Sequence, residues 1–207
     1  MSQEIFTEIM RTNHWGGAES VSGIGSDSSQ TAFLIPELES LLQRYHITSM
    51  LDIPCGDFNW MRKVSFDGDY IGADIVPTLV EVNRLKYQSK NRRFEVLDIT
   101  ADTLPVVDLI FTRDCLVHLS VSEVFDALEN IKASGATYLL ATTYFWQAKE
   151  FNHDIDTGGW RRLNLHQPPF NLPFPQEVLI EGYMWDDNKD KSLALWKIDD
   201  ITIERGK

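Results

Sequence analysis

The residues of this sequence best suited to chemistry are acids that end apolar runs. One run ends in Asp52 and is followed by a polar turn that holds Gly56 and a second acid, Asp57. A second run, residues 70–73, ends in Asp74. Buried parallel strands present small polar ligands at their carboxyl ends. Two such strand ends, one βα unit apart, therefore predict a nucleoside-containing ligand at the edge of an open α/β sheet.

A second chemical group follows a later apolar run and contains Asp114 and His118. A hydroxyl nucleophile benefits from a base within hydrogen-bond reach, and the ordinary pKa of histidine suits that task. Asp114 has three open interpretations: it orients the hydroxyl, acts as the base itself, or tunes His118. If the segment is helical, the two residues share one face. The structural alternative makes His118 a satisfied core histidine and Asp114 a helix N-cap.

Regular alternation of strands and helices is predicted to position these residues. Apolar runs predict strands at 49–53, 69–73, 93–97, 106–112 and 136–142. Helical periodicity predicts helices at 5–11, 30–45, 77–88 and 122–132. This order indicates a parallel, doubly wound sheet with helices on both faces. A hairpin of 177–185 and 192–198 would close the sheet with an antiparallel strand.

Some finer features of these helices are also predicted from their residues. Ser28 or Ser29 is expected to cap the helix at 30–45. The helix from Pro77 is expected to carry Leu79 and Val82 on one face, and Ser122 to cap the helix that follows the fourth strand.

Length and composition limit the function classes. The 207 residues, 43% of them hydrophobic, suit one domain with a real core. A net charge of −12, with basic residues clustered only in pairs such as Arg161-Arg162, argues against a nucleic-acid substrate. No apolar run approaches the roughly 20 residues of a membrane span, and the first residues lack a signal-peptide pattern. We therefore expect a cytoplasmic protein whose Cys55 and Cys115 stay reduced.

Two irregular segments are candidates for ligand contacts. Residues 1–28 combine a short helix with a Gly- and Ser-rich stretch that contains Trp15. That stretch is interpreted either as a flexible entry segment or as a flap over the ligand. Residues 144–176 are rich in proline and aromatic residues. They are interpreted either as a substrate-binding insertion or as a cover for the sheet edge.

Four motifs at predicted strand ends resemble those of class I S-adenosylmethionine-dependent methyltransferases. They are LDIPCGDFNW, YIGADI, FEVLDIT and DLIFTRDCLVHLS. The resemblance implies a Rossmann-like, seven-stranded sheet with an antiparallel last strand, and S-adenosyl-L-methionine as cofactor, released as S-adenosyl-L-homocysteine. The first motif departs from the glycine-rich form, because Pro54 and Cys55 precede its only glycine.

A narrower resemblance rests on NHWGG, PCGDFNWM, RDCLVHLS and DIDTGGWRRLNL. These motifs are similar to a methyltransferase subfamily that accompanies glycosyltransferases in glycan assembly, including domains of multi-domain proteins of large algal viruses. The resemblance implies O-methylation of a sugar, with deoxyhexoses such as rhamnose as acceptors. It also implies an association with glycosyltransferases, a possible origin as one domain of a longer protein, and the host cytoplasm for a viral member.

The resemblance assigns cofactor roles to residues around the strand ends. Asp74 would accept hydrogen bonds from the ribose hydroxyls, Asp98 would contact adenine, and the first turn would hold the amino acid end. The full predicted cofactor set is Trp15, Asp52, Pro54, Cys55, Gly56, Asp57, Trp60, Asp74, Ile75, Asp98, Ile99 and Arg113.

The same resemblance, with the residues themselves, predicts the acceptor site. His118 and Asp114 are the predicted catalytic residues, and no metal is expected. The predicted substrate-binding residues are Tyr144, Asp154, Trp160, Arg161 and Asn164. Two alternatives stay open: a different small acceptor, such as a carboxylate held by Arg161-Arg162, an amine or a catechol, and a non-catalytic cofactor-binding module.

Overall fold

The computed structural model describes residues 2–145, 152–181 and 190–205. Seven strands form one sheet in the order β3-β2-β1-β4-β5-β7-β6. Neighbours among β1, β2 and β3 pair in parallel, as do β4 and β5, whereas β7 is antiparallel to β5 and to β6. The predicted mostly parallel sheet with an antiparallel closing strand is confirmed. The strands are β1 Ser49–Asp52, β2 Asp69–Asp74, β3 Arg92–Val96, β4 Leu109–Thr112, β5 Tyr138–Tyr144, β6 Glu177–Ile180 and β7 Lys191–Lys197.

The described residues also form helices that follow the predicted alternation. The α-helices are α1 Ser2–Arg11, α2 Ser28–Thr31, α3 Leu34–Arg44, α4 Pro77–Tyr87 and α5 Val121–Ala133. Short 3-10 turns occur at Ile24–Ser26, Met61–Lys63, Leu116–His118 and Ile198–Asp200. The described residues contain no helix with the length and apolar character needed to cross a membrane. By its contacts the chain forms two compact units, Met1–Asp98 and Ile99–Lys207.

In the first unit, an aromatic cluster packs on the strands that end in the predicted acids. The ring of Phe58 lies 5.2 Å, centroid to centroid, from each of Tyr70, Tyr87 and Phe94. Such tilted and edge-on pairs add stabilisation beyond the burial of their area. The cluster is buried beside β2, so it anchors the strand whose end carries Asp74.

The predicted helix at 30–45 is two helices instead of one. Its apolar face is present, because α3 buries Leu34, Leu38, Leu41 and Leu42. The helix restarts at Leu34, and Pro36 therefore lies in its first turn, where a missing N–H is tolerated. In a continuous helix the proline ring would clash with the carbonyl of residue 32. Asp27, and not Ser28 or Ser29, is the N-cap residue of α2.

The face of α4 that carries Leu79 and Val82 is not its buried face. The helix buries Val80 and Asn83, whereas Leu79 is half-buried and Val82 is exposed. The physical reason is a polar contact: the Asn83 amide donates a 2.7 Å hydrogen bond to the Gly56 carbonyl. Satisfying that buried carbonyl turns the helix away from its most apolar stripe.

In the second unit, the sequence-based boundaries shift by a few residues. The helix α5 begins at Val121, one residue before the predicted range of 122–132. Its N-cap is Ser120 and not Ser122. Ser120 accepts from the Glu123 amide while the Glu123 carboxylate accepts from the Ser120 amide, which is a capping box. Strand β4 starts only at Leu109, and Val106 is exposed.

The predicted closing hairpin is present as β6 and β7. Leu179 pairs with Leu193, and Val178 with Ala194, in antiparallel register. The predicted strand residues 182–185 and most of the predicted turn at 186–190 lie outside the described residues.

Candidate functional site

The turn after β1 is shaped by backbone hydrogen bonds and one buried amide. The Cys55 amide donates to the Ala73 carbonyl at 2.7 Å, which ties the turn to the end of β2. Gly56 has φ of +54°, a conformation that costs a glycine little. Asn83 holds the Gly56 carbonyl from α4, and the sequence analysis missed this residue. The signal that could have located Asn83 was its position three residues after Val80, which places both residues on the same face of the helix.

Asp74 is held as an oriented carboxylate at the end of β2. One oxygen accepts from the Gly56 amide at 3.1 Å and the other from the Val76 amide at 2.9 Å. A carboxylate offers about four acceptor sites, so these two bonds leave acceptor capacity on the group. Burial raises the pKa of Asp74 to about 6, against the opposing effect of the Val76 and Gly56 amides. The group is thus mainly ionised at pH 7 and suited to accept hydrogen bonds from hydroxyls.

Asp52 is engaged inside the first unit. The Tyr70 hydroxyl donates to the Asp52 carboxylate at 2.5 Å, and both side chains are buried. Burial raises the pKa of Tyr70 well above its ordinary value, and the charge of Asp52 adds to that effect. One oxygen of Asp52 therefore stabilises the strand pair, and its predicted cofactor role stays a prediction.

The Gly- and Ser-rich N-terminal stretch contacts the same turn through Asp57. The Ser20 hydroxyl and the Val21 amide donate to the two Asp57 carboxylate oxygens at 2.8 and 3.1 Å. The Asp57 amide donates back to the Ser22 hydroxyl at 3.4 Å. A Cβ added at Gly56 would lie 2.1 Å from that hydroxyl oxygen. The stretch therefore packs on the turn closely enough that only glycine fits at residue 56.

We expect Asp57→Ala to release this N-terminal stretch from the turn. Each hydrogen bond to a charged group contributes about 1.5–3 kcal/mol, so loss of the Asp57 carboxylate should lower the exchange protection of the Val21 amide by about tenfold or more. Hydrogen exchange measured residue by residue checks this. Asp67→Ala, which removes an acid from the same unit, is the matched control. Unchanged protection of Val21 in Asp57→Ala would show that the carboxylate does not anchor the stretch.

Other predicted cofactor residues are distributed over both units. In the first unit Trp15 packs on Phe6 at 6.3 Å between ring centroids, and Trp60 is buried. Cys55 is a buried free thiol whose pKa is raised by burial, and Cys115 is also free. Pro54, Ile75 and Asp98 are half-buried in the first unit, whereas Ile99 and Arg113 are buried residues of the second.

A charged cluster, defined here as Arg113, Asp114, Glu181 and Lys191, lies in the second unit, with Arg113 and Glu181 buried and the other two half-buried. Arg113 Nη2 lies 2.5 Å from Glu181 Oε2, and Arg113 Nη1 lies 3.4 Å from Asp114 Oδ2. Lys191 Nζ lies 2.5 Å from Asp114 and 3.2 Å from Glu181. Two cations and two acids thus neutralise one another at the ends of β4, β6 and β7.

Within this cluster Asp114 is a fixed anion. Its φ is +53°, and its amide donates to the Thr142 hydroxyl at 2.8 Å. Burial raises the pKa of Asp114, but Lys191 and Arg113 outweigh burial and lower the pKa to about 2. A carboxylate with that pKa is a weak base at neutral pH. The charge of Asp114 raises the pKa of His118, and which of the three interpretations of Asp114 holds stays a prediction.

His118 has the protonation state that a general base requires. Its Nδ1 lies 2.6 Å from the Gly159 carbonyl oxygen, which can only accept, so we assign the proton to Nδ1 and the lone pair to Nε2. Burial lowers the pKa of His118 below its ordinary value, against the raising effects of the Gly159 bond and Asp114. The imidazole is therefore neutral at pH 7. It lies in the 3-10 turn Leu116–His118, which Asp114 precedes, so helical spacing does not pair the two residues.

The predicted substrate-binding residues divide into accessible and internal groups. Trp160 is 49% exposed, and its ring meets the buried Tyr144 edge-on at 6.4 Å. Burial, reinforced by Asp114 and Glu181, raises the pKa of Tyr144, so its hydroxyl stays protonated. Asp154 accepts from the Val121 amide at 2.7 Å.

Arg161 and Asn164 are buried, and their side chains form hydrogen bonds with backbone groups. The Arg161 guanidinium donates to the Leu119 carbonyl at 2.7 Å, and the Asn164 side-chain oxygen accepts from the His166 amide at 3.0 Å. Arg161 is 1% exposed, and its Nη1 donates to backbone carbonyls. Its predicted contact with an acceptor, including its part in a basic clamp for a carboxylate, stays a prediction.

Sequence analysis missed Lys191 and Glu181, although both complete the charged cluster. Their partners lie far away in sequence, 77 residues for Lys191 with Asp114 and 68 for Glu181 with Arg113. The available signal was a charged residue at the end of each hairpin strand. The described residues contain no group of three or more His, Cys, Asp or Glu side chains placed to hold a metal ion.

Comparison with known proteins gives fold-level likeness only. No family model and no curated protein matches the chain. Similar solved structures include the N-methyltransferase NodS from Bradyrhizobium japonicum WM9 in complex with S-adenosyl-L-homocysteine. NodS is 18% identical, with 53% of this chain and 61% of NodS covered and a TM-score of 0.43.

Two further similar structures are methyltransferases by name. Magnesium protoporphyrin IX methyltransferase from Synechocystis PCC 6803 is 12% identical, with 59% of each chain covered and a TM-score of 0.47. The amino pentose methyltransferase CalS10 from Micromonospora echinaspora is 16% identical, with 56% of this chain and 50% of CalS10 covered and a TM-score of 0.44. The chain thus spans about three fifths or less of these three proteins. TM-scores below 0.5 do not transfer a function, so the chain's own residues must carry the assignment.

Proposed function

We propose that this chain is an S-adenosylmethionine-dependent methyltransferase that methylates a sugar hydroxyl. The observation that carries the proposal is His118: a neutral imidazole held with Nδ1 on the Gly159 carbonyl, close to the fixed anion Asp114. A hydroxyl acceptor benefits from such a base, whereas a simple binding module has no use for one.

The cofactor would be held by the strand-end residues of the first unit. The Asp74 carboxylate, oriented by the Gly56 and Val76 amides, suits two ribose hydroxyls. The turn after β1 would face the amino acid end, and Asp98 the adenine. When bound, the cofactor supplies an electrophilic methyl group on a sulfonium.

The residues of the second unit would activate the acceptor. During methyl transfer Nε2 of His118 would accept the proton that the acceptor hydroxyl loses. The imidazolium that results is stabilised by the Asp114 carboxylate, which Lys191 holds in place at 2.5 Å. General base catalysis of this kind contributes a factor of about 10²–10⁴ to the rate.

A neutral polyol fits the surroundings of His118 better than an anion does. Trp160 follows directly after Gly159, the partner of His118, and half of its side chain is exposed. An aromatic face suits the C–H face of a sugar, and a net charge of −12 disfavours polyanionic acceptors. The glycan context, with rhamnose or another deoxyhexose as acceptor, a glycosyltransferase as associate and the cytoplasm as compartment, follows from the motif resemblance.

Calorimetric titration with S-adenosylhomocysteine tests the cofactor half of the proposal. We expect binding at pH 7 that weakens as the pH falls below about 6, because protonated Asp74 loses an acceptor for the ribose hydroxyls. Asp74→Ala should abolish measurable binding, whereas Asp69→Ala, at the opposite end of the same strand, should leave it intact. Absence of binding by the native chain would refute the proposal.

Incubation with labelled S-adenosylmethionine and a panel of acceptors tests the other half. Methylation of deoxyhexosides, with none of carboxylates, amines or catechols, is the expected result. Cofactor binding without methylation of any acceptor would favour the non-catalytic module instead.

A further inference from the structure

The backbone of the segment from Gly158 to Arg161 is hydrogen-bonded to the turn that carries His118. The Gly158 amide donates to the His118 carbonyl at 2.9 Å, and the Arg161 amide donates to the Val117 carbonyl at 3.1 Å. With the bond from His118 Nδ1 to Gly159, the backbone of this segment holds both the main chain and the ring of the histidine. The loop is therefore part of what orients the imidazole.

The buried Arg161 side chain adds further hydrogen bonds to the same turn. Its Nη1 donates to the Val117 carbonyl at 3.3 Å and to the Leu119 carbonyl at 2.7 Å, the residues on either side of His118. Its Nε and Nη2 are buried and have no hydrogen-bond partner among the described residues. A buried guanidinium with unsatisfied N–H groups costs stability. Because this arrangement lowers the stability of the fold, it indicates that the Arg161 guanidinium has a functional role.

We infer that Arg161 is a positioning residue that holds His118 with Nδ1 protonated and Nε2 as the proton acceptor. By fixing the carbonyls of residues 117 and 119, the guanidinium sets where the His118 ring lies relative to the Gly159 carbonyl. The role of Nε2 as a base rests on the proposed function, whereas the tautomer does not.

The charge of Arg161 acts in the same direction as its geometry. Among the charged groups that act on His118, Asp114 favours the imidazolium, whereas Lys191 and Arg161 disfavour it. Removing the Arg161 charge takes away one of these opposing effects and should raise the pKa of His118. Arg161→Lys keeps the positive charge but replaces the planar guanidinium and its several N–H donors with one ammonium group. Arg161→Gln removes the charge.

Nitrogen NMR of histidine-labelled chain, without cofactor or acceptor, tests this inference. In the native chain we expect His118 to show the Nδ1-protonated tautomer and a pKa below that of a free histidine. Arg161→Gln should give mixed tautomers and a raised pKa, and Arg161→Lys mixed tautomers with a smaller rise. Arg162→Gln, the same change at the next residue, should match the native spectrum.

Two outcomes would overturn the inference. One is an Nε2-protonated His118 in the native chain, which needs no variant to fold. The other is a folded Arg161→Gln or Arg161→Lys variant with the native tautomer. If the chain methylates a substrate, Arg161→Gln should also lower kcat by about tenfold or more and move the acidic limb of the kcat profile to higher pH, with KM for the cofactor unchanged. Failure of methyl transfer leaves the NMR result intact, so the two proposals fail separately.

Discussion

Replacing His118 with alanine is expected to lower kcat by about 10²–10⁴-fold while the affinity for S-adenosylhomocysteine stays the same. The loss follows from removing the group that takes the hydroxyl proton. Cofactor affinity should persist because the residues proposed to hold the ribose and the amino acid end belong to the first unit. Steady-state kinetics with a methylated acceptor, together with calorimetry, measure the two quantities.

His166→Ala is the matched control for this experiment. His166 lies in the same unit, and its Nδ1 also contacts a backbone carbonyl, that of Leu172 at 2.7 Å. Its ring packs on that of Phe174 in a tilted arrangement, at 4.3 Å between centroids. We expect this variant to retain kcat within a few-fold. A His118→Ala enzyme as active as the His166→Ala enzyme would remove His118 from the mechanism.

Replacing Arg113 with methionine is expected to lower the free energy of unfolding by about 3–5 kcal/mol. The Arg113 and Glu181 side chains are only 6% and 2% exposed. Loss of the arginine leaves the buried Glu181 and the half-buried Asp114 with Lys191 as their remaining cation within the cluster. Urea denaturation followed by circular dichroism measures the change.

Two further variants separate the cost of a broken ion pair from the loss of a side chain. Arg113→Met with Glu181→Met removes both charges and should recover much of the stability, because no uncompensated acid is left at Glu181. Arg205→Met breaks exposed pairs with Asp126 and Glu129 and should change stability by about 1 kcal/mol or less. An Arg113→Met loss as small as that of Arg205→Met would contradict a buried, energetically coupled cluster.

Local sequence signals predicted most of the fold. The predicted bounds of β1, β2 and β3 hold to within a residue, and for β1 and β2 the reason is that buried parallel strands have apolar side chains on both faces. The cap of α5 could have been predicted as well, because Ser120 and Glu123 have capping-box spacing and Ser122 does not. The inward face of α4 could not, because Asn83 is buried to satisfy a carbonyl 27 residues away.

The sequence by itself determined which groups could do chemistry. Asp74 and Asp114 follow apolar runs, and strand ends of a parallel sheet are where ligands meet such residues. Helical or strand periodicity is a local property, so these positions could be located without knowing any distant contact.

Only the tertiary structure decided the charge state and the partners of these groups. The low pKa of Asp114 depends on Lys191, 77 residues away, and the tautomer of His118 depends on Gly159, 41 residues away. It also buried Arg161, whose Nη1 donates to the carbonyls of Val117 and Leu119 on either side of His118. Burial, hydrogen bonds and nearby charges set a pKa, and these are properties of the folded chain.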